Sequence, residues 1–600
     1  MKIDSHTSHV SSRASPGKCS RACGSSRKTE REEGSVLVFT IVIIACALVV
    51  LAATMAWSNT SAKLTDRTNR YMAATAAAEA GTEYTLAQIW KDFSGGGEAL
   101  VLANLTNYQS TALTSAQSPY WADWEFTDAC GHTNSTYVSI GTSSNYTVLD
   151  SAYAHLQAYV TPCTIVCDAH QPHALNDVFG AVYQQVQLAR IPIFQWAMFS
   201  SGDLEISCGK PFTVTGPVHS NQKIYVEPDN SLTFLTDVTA VGDILFQRSP
   251  LDSRVPPSGS VTYEGGKTSH VPALTIPIGL TNTPTAVREI IEPPPGGEDP
   301  TSLLGRARYY NQVDLVITVT SGGITVTSGR YDNFSHTVTN TEVALFVSTT
   351  NSFRDEREGK LVLPIDINIG VFRVWSATNG SIRPLLGSRD VSSIYVWDQR
   401  PFTSSTLSGV RVVNGAALPS RGLTVATGSP LYVYGDFNSP NPGSTNTSGT
   451  LPASLVGDAL TVLSDGWDDT RSLLPGVSGF AGRATIFSTT VNAAILAGAV
   501  DTTQDHYSGG MENFPRFLED WSRATFTYNG SMVKMFPSLY ATNAWGKNYV
   551  YKPPTRNWTY DRNFDSPTKL PPLTPGFIKI GRSVWNTVAA NQTNAPPADL

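Results

Sequence analysis

Between Val36 and Trp57 the chain reads VLVFTIVIIACALVVLAATMAW, 22 residues without one ionisable carboxylate, amine or imidazole. About 20 such residues cross a bilayer as a helix, because a helix satisfies every backbone N–H and C=O within the segment. A core helix seldom runs so long without a charge. A cleaved secretory signal has a shorter apolar region and ends at a small-residue site, which Ala52 and Ala53 mimic. The run reads as a single membrane span over residues 36–57. Residues 1–34 before it form a polar leader with seven Lys or Arg and four Asp or Glu. Residues 58–90 after it hold no proline and one glycine, Gly81, and are rich in good helix formers. One helix is therefore expected from residue 35 to about 92, roughly 84 Å long to Trp90 at 1.5 Å per residue. Such a helix, half apolar and half amphipathic, is a packing device.

Three features in a row carry a resemblance. They are a leader ending in Arg31-Glu32-Glu33-Gly34, the apolar helix that starts at once, and Ala76-Ala77-Ala78-Glu79-Ala80-Gly81. Together they resemble the start of PilX-type minor pilins and pseudopilins, over residues 31 to about 90. The resemblance implies cleavage between Gly34 and Ser35 by a prepilin peptidase. It also implies other pilin-like subunits as partners, in a type IV pilus or a type II secretion-like system. The expected location is the bacterial inner membrane, with the body in the periplasm or at the cell surface. Glu32-Glu33 stands where a basic pair is commoner in the family. Phe39 stands five residues after the cut, where major pilins carry a glutamate. A carboxylate in mid-bilayer costs several kcal/mol unless paired. In the family it is thought to meet the N-terminal amine of the neighbouring subunit. A chain with Phe39, lacking that bond, fits a tip or minor subunit, or one that never polymerises.

Beyond residue 100 the pattern changes to short alternating runs broken by Gly, Pro, Asn and Asp, which predicts a mainly β body. Charged residues are only 15% of the chain, against about 25% for an average soluble domain, which suits an exported β-rich protein. The net charge of −7 leaves no electrostatic footprint for nucleic acid.

From residue 204 to 246, Phe212, Val214, Val218, Ile224, Val226, Leu232, Phe234, Val238 and Ile244 alternate with polar residues. This pattern predicts the coils of a β-solenoid, each stable only when stacked on its neighbours; a β-sandwich gives a similar pattern. The predicted organisation is a β-rich or mixed connecting region at 93–194 and solenoid coils at 195–290. A Pro/Gly linker at 291–302 and an inserted β segment at 303–419 follow, the latter with a hairpin at Gly322-Gly323. Further coils occupy 420–500, and a C-terminal cap of Pro- and aromatic-rich loops occupies 501–600. In the cap, Phe514, Phe517, Leu518 and Trp521 fall at the spacing of one short helix. GPVHSN, GLTVAT and FPRFLEDW make the body similar to large bacterial surface proteins of no known activity.

The candidates for chemistry are few. Cys163, Cys167, His170 and His173 could ligate zinc, but their spacing lacks the usual knuckle, and in an exported body a disulfide is favoured. Cys130 and Cys208 complete the four body cysteines, with at least one pair expected to be oxidised. Asp465, Asp468 and Asp469 crowd one turn without the spacing of a calcium loop, so a solvated turn is expected. Glu519, Asp520 and Asp561 beside Arg516 and Arg556 could act as acid and base on a polysaccharide; salt bridges fixing the cap explain them better. His219 reads as a hydrogen-bonded turn residue. With no P-loop, nucleophile elbow or triad, the expectation is a structural protein, not an enzyme, without a cofactor. The alternative is a tethered surface protein that binds or processes glycans.

Overall fold

The computed structural model describes residues 35–141, 145–149, 153, 155–172, 177–330, 333–474, 483–504, 506–543 and 550–591. A long apolar helix is followed by a large β-rich body, and the chain divides into two units, Met1–Arg70 and Tyr71–Leu600.

In the first unit, helix α1 (Ser35–Ala103) begins at Ser35 and runs on through Arg70. Residues 36–69 are exposed throughout, and the helix is long and apolar enough to cross a membrane. Its threonine hydroxyls bond back to carbonyls of the same helix. Thr40 donates to the Val36 carbonyl at 2.6 Å and Thr54 to the Leu51 carbonyl at 2.9 Å, which suits an apolar medium.

The second unit begins with the outer half of α1, which breaks at Gly97, where φ is 65°. Leu86, Ile89, Phe93 and Val101 are buried at helical spacing against an antiparallel sheet. Its strands β1 (Glu125–Thr127), β2 (Tyr137–Ile140), β3 (Asn145–Val148), β4 (Gln157–His170) and β5 (Gly180–Pro192) come from the predicted connecting region. β1, β2 and β3 pair with β4, which pairs with β5. The strand beyond β5 is the C-terminal Gly576–Val588. The body between them, residues 193–575, is thus an insertion into the helix-bearing sheet.

The small residues of α1 permit this packing. A Cβ on Gly81 would lie 2.6 Å from the Cys167 Sγ, and one on Gly180 of β5 would overlap the backbone of Ala74 and Thr75. Ala77 and Ala78 pack with Cys167, Ala169 and Val182 in the same small core. The Ala-Ala-Ala-Glu-Ala-Gly run is therefore a close-approach surface for β4 and β5.

In the body, the alternating run from 204 to 246 folds into parallel strands, each stacked on its counterpart in the next coil. Met198 pairs with Val218 and Val218 with Val238. Ile224 pairs with Leu204 and Ile244, and Leu232 with Phe212 and Val261. Each turn thus contributes one strand to each of three faces, with like residues stacked inward.

The remaining strands differ from the expected order. Segment 303–419 is not set apart from the coils. Leu315–Thr320 and Ser393–Asp398 lie in the same parallel run as Leu423–Thr427, Ala453–Gly457, Ala494–Ala499 and Met532–Pro537. Met532 then pairs with Met198, so a strand late in the chain stacks on the first coil. A second sheet of ten strands includes Lys360–Asn368, Thr406–Gly415, Leu431–Phe437 and Thr525–Gly530.

The hairpin at Gly322-Gly323 forms, with Thr320 opposite Gly323. The proline-rich segment near 291–302 is anchored on both sides. Ile290 and Ile291 are buried, and Arg308 binds Glu298 at 2.6 Å and Glu289 at 2.7 Å. The predicted cap helix is absent. Phe514 follows a 3-10 turn, and Pro515–Phe517 is a strand paired with Leu460, Thr461 and Val462. Pairing with the open edge of Leu460–Leu463 overrides the helical spacing of the four apolar residues, all of which are buried anyway.

Candidate functional site

The leader glycine, Gly34, lies outside the described residues, and Ser35 is the first residue of α1. Phe39 is exposed on the apolar half of the helix. On the outer half, Glu83 holds Arg582 of the C-terminal strand through two oxygens at 2.6 Å and accepts from Gln184 of β5 at 3.0 Å. These bonds pin α1 to β5 and to the C-terminal strand. No local pattern pointed to Arg582, because its partner lies 499 residues away.

The four body cysteines are free thiols, which corrects the expected disulfide. Cys163 and Cys167 project from the same face of β4 into separate apolar clusters under α1, and burial pushes both thiols up to about 12. Cys208 lies in the coil core and Cys130 in an exposed turn. The three buried thiols thus lie in three different cores. The zinc candidate His170 packs on Phe179 at 4.2 Å, and His173 falls outside the described residues. Among the described residues no group of three His, Cys, Asp or Glu could hold a metal ion.

The three turn aspartates have three different roles. Asp468 caps the helix Asp469–Ser472 by accepting from the Thr470 and Arg471 N–H groups. Asp469 binds Arg411 at 2.7 Å and the Trp467 indole at 2.7 Å. Asp465 sits against Gly435, whose φ of 74° and absent side chain admit it. Asp465 and Asp469 line an open cleft of about 680 Å³ near the C-terminal ends of three parallel strands. Its floor is the buried Arg411, whose guanidinium bridges Asp366 and Asp469. Asp436 stands beside Asp465, and burial raises its pKa. Asn351 donates to Asp366 at 2.6 Å. Asp366 and Arg411 were not anticipated as site residues. The available signal was a charge inside an apolar strand pattern, in LPIDIN and GVRVVNG.

The acid–base candidates in the cap are dispersed. Glu519 accepts from the Ser464 N–H and hydroxyl at 2.7 Å each. Asp520 binds Lys552, Asp561 accepts from Thr447, and Arg516 pairs with Glu358. Arg556 donates to the Glu512 carbonyl and to Asn513. His219 lies within a strand, between Thr239 and Asn221, and burial lowers its pKa to about 4. It is a neutral core residue.

Burial raises Glu519 to about 7, offset in part by its bonds from Ser464, whereas an unfolded glutamate titrates near ~4.3. The folded state therefore binds this proton more tightly. The stabilising contribution is complete below about pH 4.3 and is lost as pH rises through about 7. Glu512 is also raised to about 7, chiefly by burial. The body is expected to melt at a higher temperature at pH 5 than at pH 8, with Glu519→Gln flattening the slope. Melting curves across that range check it; an undiminished slope in Glu519→Gln refutes the role of this carboxyl.

No protein-family profile matches the chain, and no curated protein matches it. Among solved structures, the crystal structure of the competence-associated pilin ComZ from Thermus thermophilus is similar at a TM-score of 0.29 and 10% identity. The match covers 86% of this chain and 97% of that one. At that score the likeness decides neither fold nor function.

Proposed function

We propose that the chain is a membrane-anchored, pilin-like structural subunit, a minor pilin or pseudopilin of a type IV pilus or type II secretion-like system, and not an enzyme. The observation that carries this reading is the division of labour along α1. Residues 36–57 are apolar and exposed without interruption, while the outer half is held in a sheet closed by the C-terminal strand. A helix of this kind packs among other helices in lipid by its free half and presents its cargo by the other. The inserted body, read as a discontinuous β-solenoid, is then displayed from the inner membrane into the periplasm or at the cell surface.

A prepilin peptidase would cut between Gly34 and Ser35. Mass spectrometry of the membrane-bound chain is expected to find Ser35 at the mature N-terminus, and Gly34→Ala is expected to leave the leader attached. Unchanged processing in Gly34→Ala, or an intact leader on the unmodified chain, defeats the assignment.

A second reading, glycan binding by the body, draws on the cleft around Arg411. Its carboxylates, asparagines and guanidinium suit polyhydroxylated ligands. Calorimetry with oligosaccharides, and its loss in Asp436→Ala, would favour that reading.

A further inference from the structure

Arg357, in the turn after the strand Phe353–Asp355, is 7% exposed, and its Nε and Nη1 have no hydrogen-bond partner. Neighbouring acids are already engaged. Asp355 accepts from the backbone N–H groups of Arg357 and Glu358 and from the Tyr432 hydroxyl. Glu358 accepts from Arg516 and from the N–H groups of Thr542 and Asn543. Arg516, 5% exposed, likewise has an unpartnered Nε.

Arg357 and Arg516 both line one cavity of about 40 Å³, together with Lys534, Glu205, Gly510 and Asn513. One water needs roughly 10–15 Å³ of such space, so the cavity holds a group of a few heavy atoms. Burial lowers the Arg357 pKa only to about 9, so the side chain is a cation at neutral pH. Glu205 and Asp203 also line the cavity; Glu205 accepts from Thr502 and Ser508, and burial raises its pKa.

A buried cation with unused donors is satisfied by an anion that accepts from several of them at once. Oxyanions do this, because the planar guanidinium fork matches their paired oxygens. We propose that the cavity beside Arg357 and Arg516 binds a small oxyanion, of the size of a carboxylate or phosphate group. Such a ligand would cross-link the turn at 355–358, the segment 510–516 and the strand Met532–Pro537, three places distant in the chain. The inference is independent of the anchoring reading above.

The test is equilibrium dialysis of the full-length chain in detergent micelles with radiolabelled inorganic phosphate, at ionic strength fixed with chloride. Saturable binding near one phosphate per chain is expected. Arg357→Gln should weaken it about tenfold or more, the usual consequence of losing a charged hydrogen bond. Arg421→Gln, at an exposed arginine outside the cavity, should leave it unchanged. Should Arg357→Gln fail to fold, Arg357→Lys keeps the charge without the fork and is also expected to bind more weakly. Absence of saturable phosphate binding to the unmodified chain overturns the proposal, as does equal affinity in the Arg357 variants.

Discussion

Ending the chain after Pro575 is expected to unfold the sheet beneath α1. The strand Gly576–Val588 pairs with β5 along its whole length, from Pro192 to Ala181. Phe577 and Ile578 are buried, Phe577 against Phe199 and Trp196 of the first coil. Arg582 is one of the groups that hold Glu83 of α1. Removing a buried Phe alone costs about 3–5 kcal/mol, and the lost ladder adds on the order of 0.5–1.5 kcal/mol per hydrogen bond. The total rivals the whole stability of a typical domain, about 5–15 kcal/mol. Hydrogen exchange should show β4 and β5 losing protection while strands near 218–240 keep theirs. The freed edge of β5 should also promote aggregation. Retained protection in β5 would mean that the sheet closes without its last strand, and the description of the body as an insertion would fail.

Asp458→Ala is expected to be the most damaging single change in the body. Asp458 is fully buried at the end of the strand Ala453–Gly457. It accepts from Arg288 at 2.7 Å, from the Ser538 hydroxyl and from the N–H groups of Leu539 and Tyr540. It thus joins the helix Pro284–Arg288, which enters the proline-rich segment, to the loop after Met532–Pro537. Without it, Arg288 Nη1 and three further donors lose their acceptor inside the protein. Breaking a buried pair in this way costs about 3–5 kcal/mol. Asp458→Asn keeps the acceptor oxygen and should lose less. Urea titration checks the order; a loss below about 1 kcal/mol for Asp458→Ala would show that the cluster is not a structural hub.

The alternation from Phe212 to Ile244 was legible because its stacking partners lie just one coil further along the chain and repeat the same pattern. Pairing Val214 with Phe234, and Val218 with Val238, needs only local periodicity. The inserted segment was misjudged for the opposite reason. Leu315–Thr320 and Ser393–Asp398 read as strands, yet nothing in a strand's composition names its neighbour, and these two pair with each other across a hairpin, three helices and several other strands. Phe514, Phe517, Leu518 and Trp521 show the same limit from the other side. Their burial was readable, but the free edge of Leu460–Leu463 chose strand over helix. In the cleft, Asp465 and Asp469 were visible as a cluster in one turn. Arg411 and Asp366, which form its floor, come from two other strands.

Features that depend on near neighbours follow from residue order alone. The uncharged run from Val36 to Trp57 dictates a helix suited to lipid, since a lone segment of any other structure leaves its backbone unpaired there. The small residues Ala77, Ala78 and Gly81 mark the face along which that helix packs closely. Period-two alternation dictates β coils. Which distant segments meet is settled only by the folded chain. It set the C-terminal strand beside β5, the coil at Met532 on the coil at Met198, and the three buried cysteines Cys163, Cys167 and Cys208 in separate cores. These pairings arise from open strand edges and buried charges that find their complements in remote parts of the chain.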